Sequence, residues 1–262
     1  MARFCSLFSG SSGNCSYIGS AGAGILIDAG VSAKRIETAL IQREIDPACI
    51  GAVFVTHEHR DHIAGLKVLA KRYGYKIYGT EGTLAALTQN DAIPNTAALM
   101  PLNGAVEEMG MEILPFATSH DSAESCGFRV HTPDGRSIAI ATDTGVFTRT
   151  IESSVTGCDL VLIESNHDVN MVQCGPYPFS LKQRILSSKG HLSNDTCAAT
   201  LAALAESGTT RFVLGHLSQE NNRPELAHLC ATQALETAGL RQGVDYLLSV
   251  AEPVSEKGVT LF

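Results

Sequence analysis

Thr56-His57-Glu58-His59-Arg60-Asp61-His62 concentrates three imidazoles and the carboxylate of Asp61 in the six positions from His57 to His62. An apolar run, Gly51 to Val55, leads into it, and a helical apolar pattern from Ile63 to Leu69 leads out. The segment therefore reads as a strand, a loop and the start of a helix. Imidazole and carboxylate are ligand types that suit zinc and similar divalent ions. Packing alone does not account for polar groups this dense at such a junction. Alternation along an extended segment puts His57 and His59 on one side, and a bend turns Asp61 and His62 elsewhere.

Other polar residues stand where apolar runs stop. Runs rich in β-branched residues predict strands over Arg3–Phe8, Ile25–Asp28, Ala52–Thr56, Lys76–Tyr78, Met111–Phe116, Gly127–His131, Ser137–Thr142, Leu160–Glu164, Arg211–Leu214 and Tyr246–Val250. Thr132-Pro133-Asp134-Gly135 predicts a hairpin turn. Helical periodicity marks Ala33–Gln42, Ile63–Arg72, Gly82–Gln89, Leu181–Ser187, Thr196–Glu206 and Pro224–Ala238. Strand pairs come first and strand–helix alternation follows, so the expectation is an α/β layered fold in which mixed sheets are covered by helices. Asp28, His57, His120, Asp143, Glu164 and His216 all fall at or just beyond strand ends, where α/β folds gather ligand sites.

The bulk numbers are those of an ordinary globule. The 262 residues are 44% hydrophobic and 18% charged, and no stretch is long and apolar enough to span a bilayer. One domain over 1–262 is expected. The N-terminal residues carry no signal-peptide pattern, and the eight cysteines are scattered without a C-x-x-C pair, which predicts a cytoplasmic protein and no membrane partner. A net charge of −8 argues against a non-specific nucleic-acid binder. Carboxylates that hold cations would weaken that objection, because an anionic substrate would meet the cations.

Two metal ions can be built from these residues. His57 and His59 with His120 would hold one, and Asp61 and His62 with His216 the other, with Asp143 bridging. Ions ~3.5–4 Å apart clamp a hydroxide and polarise a substrate oxygen. Mixed His/Asp ligation accepts zinc or manganese, with iron as a further choice. A second constellation lies apart. Gly190-His191-Leu192-Ser193-Asn194 opens a helix with Ser193 as N-cap, and a carboxylate such as Glu164 could keep His191 charged as a proton donor. The Gly/Ser turn Phe8 to Asn14 could present backbone N–H groups to an anion, giving Ser11 and Asn14 as substrate contacts.

His57-x-His59-x-Asp61-His62, with Asp28, His120, Asp143 and His216, resembles the metallo-β-lactamase superfamily over nearly the whole chain. The resemblance implies a four-layer αββα sandwich with a two-metal cleft, and a role for Asp28 in orienting the metal loop. The Glu164/His191 pair resembles the proton-donating pair of the tRNase Z branch. The turn Ser9–Asn14 and the motifs at Thr56–His62, Thr142–Gly145, Glu164–Asp168, Gly190–Asn194 and Gly215–Asn222 are similar to the YycJ/WalJ-type group of bacterial metallo-hydrolases. That implies a 5′-to-3′ DNA exonuclease linked to mismatch repair, with DNA as partner. Only 72 residues separate Asp143 from His216, too few for the inserted domain of the β-CASP nucleases. The long arm of tRNase Z is not apparent either.

Catalysis is accordingly expected from Asp61, Glu164 and His191, with hydroxide held between the metals as nucleophile. Substrate contacts are expected from Ser11, Asn14, Ser193, Asn221 and Asn222, and from the cations Arg60, Lys182, Arg184, Lys189 and Arg223. The competing readings are a small-molecule hydrolase of the same fold (thioesterase, lactonase or cyclic-phosphate diesterase) and a non-catalytic metal-binding regulator.

Overall fold

A computed structural model describes residues 1–20, 22–256 and 258–262. In chain order its elements are β1 Arg3–Phe8, β2 Cys15–Ser20, β3 Ala23–Ile27, α1 Ala33–Ile41, β4 Ile50–Phe54, α2 Arg60–Ile63, α3 Leu66–Tyr73, β5 Lys76–Gly79, α4 Glu81–Gln89, β6 Leu99–Pro101, β7 Val106–Glu108 and β8 Met111–Ala117. There follow β9 Cys126–His131, β10 Ser137–Ala141, α5 Arg149–Val155, β11 Leu160–Glu164, α6 Val169–Cys174, α7 Phe179–Ile185, α8 Asn194–Glu206, β12 Arg211–Gly215, α9 Pro224–Thr237, β13 Leu247–Val250 and β14 Thr260–Leu261.

Two seven-stranded mixed sheets form, in the orders β14-β1-β2-β3-β4-β5-β6 and β13-β12-β11-β10-β9-β8-β7. Strands β3 to β6 run parallel, as do β10 to β13. Alternation sorts each strand's side chains between two layers. Ile25, Ile27 and Phe54 of the first sheet meet Phe128, Ile138, Ile140, Leu160 and Leu162 of the second. Phe54 stacks on Tyr78 at 4.5 Å and meets Phe128 edge-on at 5.6 Å, which ties the sheets together. Leu26 and Val53 face the other way, onto Ile36, Leu40, Leu66 and Leu69 of α1 and α3. Val161, Ile163 and Phe212 likewise pack on α5, α8 and α9. The result is the expected αββα sandwich.

The sequence signals missed short or unpatterned elements. β2 reads Cys-Ser-Tyr-Ile-Gly-Ser, with no polar alternation because every residue is buried. Tyr17 covers Gly19 and Gly24, where an added Cβ would stand 2.1 Å from its hydroxyl oxygen and 2.4 Å from its ring. The expected helix Ile63–Arg72 is broken at Gly65, whose backbone lies against Val31. The 132–135 turn is present, with Gly135 N–H donating to Thr132 O at 2.9 Å.

Candidate metal centre and active site

Parallel strands deliver the site residues to one edge of the sandwich. β3 runs into Asp28, β4 into Thr56 and His57, β10 into Asp143, and β12 into His216, while Glu164 closes β11. Three of these turn sharply. Asp28, Asp143 and His216 have φ of 63°, 56° and 56°, a left-handed conformation that non-glycine residues rarely adopt. Such strain persists where the surroundings fix it, and it clusters at functional sites.

The loop after β4 is held from beneath. Gly30 N–H donates to Asn14 O, Asn14 N–H to Asp61 O and Ala29 N–H to His62 O, each at 2.8 Å. Gly30 lets these backbones approach, since a Cβ there would lie 1.7 Å from Asp61 O. Asp28 Oδ1 accepts from Thr56 N–H at 2.8 Å, and its Oδ2 lies 2.8 Å from His62 Nδ1.

The imidazoles and carboxylates converge in overlapping groups, one of which joins Asp143, Glu164, His191 and His216 and two of which match the expected ligand sets. Donor atoms of His57, His59 and His120 lie within 4.8 Å of one another, as do those of Asp61, His62 and His216. His57 Nε2 stands 3.0 Å from His59 Nδ1. Asp143 lies between the groups, with Oδ1 3.8 Å from His120 Nε2 and 3.5 Å from His216 Nε2, and Oδ2 3.4 Å from His62 Nε2.

These groups fit divalent cations. His62 Nδ1 faces Asp28, His216 Nδ1 faces Glu164 at 2.9 Å, and His120 Nδ1 faces Gly190 O at 3.1 Å. Each partner can accept an Nδ1 proton, which turns Nε2 toward the site, the arrangement that orients metal-binding histidines; at His62 that nitrogen also lies 3.1 Å from Asn14 Nδ2. Asp143 Oδ2 and His216 Nε2 are buried without a hydrogen-bond partner. Around His62 and His216 the local field calls for positive charge. Burial opposes protonation of His62, yet Asp28, Asp143 and Asp61 push it up to about 9. Burial disfavours the Asp61 anion, yet His216 and His62 hold its carboxyl well below the usual range. Burial, with the neighbouring imidazoles His62 and His120, drives His57 well below its ordinary value.

Glu164 is buried and fully engaged. Its Oε1 lies 2.7 Å from His191 Nδ1, and its Oε2 accepts from Thr144 N–H at 2.9 Å and Leu192 N–H at 3.3 Å. Burial favours the acid form, but His191 and His216 hold the carboxyl below its ordinary range.

Residues 24–217 match the β-lactamase superfamily domain. The chain belongs to this superfamily. It is 37% identical over 253 residues to exodeoxyribonuclease YycJ of Bacillus anthracis, with 96% of each chain covered. It is 36% identical over 258 residues to exodeoxyribonuclease WalJ of Streptococcus pneumoniae, covering 96% of this chain and 94% of the relative. The metallo-β-lactamase fold protein YhfI of Bacillus subtilis superimposes with a TM-score of 0.71 at 17% identity over 97% of both chains, a likeness of fold.

In this superfamily member the two donor groups open into a cavity of about 220 Å³. Ser11, His59, Asp61, His120, Asp143, His191 and His216 line it, together with Asn166, Tyr177, Leu181, Arg184, Ile185 and Ser218. Ser11 thus stands on the cavity wall. Asn14 does not. Its side chain is buried, bonds to Gly10 N–H at 2.9 Å, and sits 3.1 Å from His62 Nε2. The N–H groups of Gly10, Gly13 and Asn14 are used within the protein and are not open to an anion. Ser193 caps α8 through Thr196 N–H at 3.1 Å. Asn222 is buried and bonds to Ser165 O, Asn166 O and Asn194, and Asn221 is buried beside it. Ser193 and Asn222 stitch the loops through their side chains and Asn221 through its backbone, its Nδ2 and Oδ1 lacking a partner, and none of the three lines the cavity.

Of the expected cationic contacts, Arg184 alone lines the cavity; Arg60, Lys182, Lys189 and Arg223 do not. Sequence reasoning gave no role to Asn166, whose Nδ2 donates to His216 O at 2.8 Å, or to Ser9, whose Oγ accepts from His216 N–H at 2.8 Å. Both lie inside quoted motifs, so the signal was present without a stated function. Among the described residues, no helix is long and apolar enough to cross a membrane.

Proposed function

We propose that this protein is a metal-dependent nuclease, a 5′-to-3′ DNA exonuclease of the cytoplasm serving DNA repair, mismatch repair in particular, and acting as one domain over 1–262. The observation that carries the reading is His191 on the wall of the cavity that the two donor groups share, with the buried Glu164 2.7 Å behind it. A plain metal store has no use for a proton donor beside its ligands. Support comes also from the two exodeoxyribonuclease relatives, matched along nearly their whole length. Eight free cysteines suit a reducing compartment.

Two divalent cations, zinc or manganese before iron, would be held by His57, His59 and His120, and by Asp61, His62 and His216, with Asp143 shared. When bound, such cations supply Lewis acidity and make water ionisable near neutral pH. His191 sits on the cavity wall and donates a proton to the leaving oxygen. Glu164 orients His191 by accepting at Nδ1. Asp28 and Thr56 fix His62.

Chelator-stripped protein reloaded with manganese or zinc should release nucleotides from the 5′ end of labelled DNA. Single- and double-stranded DNA and RNA, labelled at either end, distinguish substrate and polarity. Absence of cleavage of every DNA would overturn the reading. The small cavity also suits a small phosphodiester. Turnover of cyclic phosphates or bis(p-nitrophenyl) phosphate, with none of DNA, would select that alternative.

A further inference from the structure

We propose that Arg184 anchors a phosphate of the substrate strand adjacent to the one being cut, and that Asp121 holds it ready. The inference rests on the nuclease reading above. Arg184 is the sole lysine or arginine among the described residues lining the cavity. An anionic strand entering there meets the carboxylates of Asp61 and Asp143, so a fixed cation at the wall has a clear electrostatic use.

The guanidinium is pre-oriented. Its Nε and Nη2 donate to the two carboxylate oxygens of Asp121, Nη2 at 3.0 Å. This side-on fork fixes the plane and leaves the Nη1 donors for another acceptor, a geometry that suits phosphate oxygens. Asp121 is itself on a braced loop. Ala123 N–H donates to Glu58 Oε1, and Ser119 Oγ to Ser188 O, each at 2.8 Å. Asp121 Oδ1 lies 3.4 Å from His120 Nε2, so the guanidinium is one carboxylate removed from a candidate ligand.

Stability does not explain the pair. The Arg184 side chain is 48% exposed and that of Asp121 33%, and ion pairs so open to water stabilise a fold little. The cavity's size adds a constraint. At about 220 Å³ it is smaller than the ~300–1,000 Å³ of ordinary small-molecule pockets. A strand longer than its reacting unit must therefore run out of the cavity, whose walls include Tyr177, Leu181 and Ile185 as well as Arg184.

The test compares metal-loaded wild type, Arg184→Ala, Arg184→Lys and the double variant Asp121→Asn/Arg184→Ala. Substrates are single-stranded DNA oligonucleotides and bis(p-nitrophenyl) phosphate, which has no second phosphate. Arg184→Ala should lower kcat/KM on DNA by about 10–100-fold, mainly through KM, with metal content equal to wild type. The salt dependence of log kcat/KM should flatten by about 0.7, the share of one phosphate contact on a single strand. Arg184→Lys should recover part of the loss. Equal losses on both substrates, or an unchanged salt slope, would overturn the proposal. Recovery of wild-type activity in the double variant would overturn it too, by reducing Arg184 to a neutraliser of Asp121. The nuclease reading is judged separately, on wild type. Wild type inactive on DNA would overturn both, whereas an active wild type with an indifferent Arg184 overturns only this inference.

Discussion

Glu164 and His191 meet at 2.7 Å through Oε1 and Nδ1, and the same carboxylate oxygen lies 2.9 Å from Nδ1 of His216. One buried acid thus couples a candidate proton donor to a candidate metal ligand. The two roles separate on substitution. His191→Ala should keep its metal and slow turnover ~10²–10⁴-fold. Glu164→Gln should do both kinds of damage, because the neutral amide cannot serve both imidazoles, and should weaken metal binding ~10–100-fold. Elemental analysis beside single-turnover kinetics reads the difference. Metal loss in His191→Ala would make His191 a ligand instead.

Removing His59 should empty the group it shares with His57 and His120. His59→Ala is expected to lose metal and activity together. Full metal occupancy in that variant would contradict the ligand assignment. Chelation of wild type should lower Tm, and added zinc should restore it, since a ligand that binds only the folded state stabilises it.

Asp28 tests how much the support behind a ligand matters. Its φ of 63° is one that asparagine tolerates, so Asp28→Asn keeps the turn while removing the charge facing His62 Nδ1. Metal affinity should fall ~10–100-fold with the fold intact. Asp28→Ala should also destabilise, by about 1–3 kcal/mol, because Thr56 N–H loses its buried acceptor. Metal titration and urea unfolding on the pair check both statements.

Gly30→Ala should be worse than its size suggests. The new methyl would stand 1.7 Å from Asp61 O and 2.5 Å from Asn14 N, both backbone atoms. The ligand loop must move, so metal content and Tm should both drop. A variant with wild-type metal content would show that the loop yields more easily than its hydrogen bonds imply.

Much of this centre was legible because metal ligands are chemically conspicuous and strand ends are marked by where apolar runs stop. His57 to His62, Asp143 and His216 needed only that. The substrate contacts were harder to read. Asn14 and Asn222 are polar residues in loops, which at sequence level resembles an open surface. Their burial depends on which loops meet, as when Asn194 Nδ2 bonds Asn222 Oδ1 at 2.9 Å across 28 residues. Arg184 posed the converse problem. Sequence alone offered it as one of five cations, and nothing set it apart from the other four until Asp121, 63 residues away, is seen holding it at the cavity wall.

His167 gives the fold an acid-sensitive point away from the ligands. Burial lowers it to about 4, and its Nδ1 is buried without a hydrogen-bond partner. The unfolded value is ~6.5. Between these values the unfolded chain binds a proton that the native state refuses. This contribution to stability is therefore complete above ~6.5 and falls with pH until about 4, by about 1.4 kcal/mol per unit. His167→Gln removes the titration. Urea unfolding of both proteins in steps from pH 7 to pH 4 should show wild type losing about 3 kcal/mol relative to the variant. The difference isolates His167 from other groups that titrate on acidification. A constant difference across that range would mean that His167 takes up its proton in the folded protein as readily as in the unfolded chain.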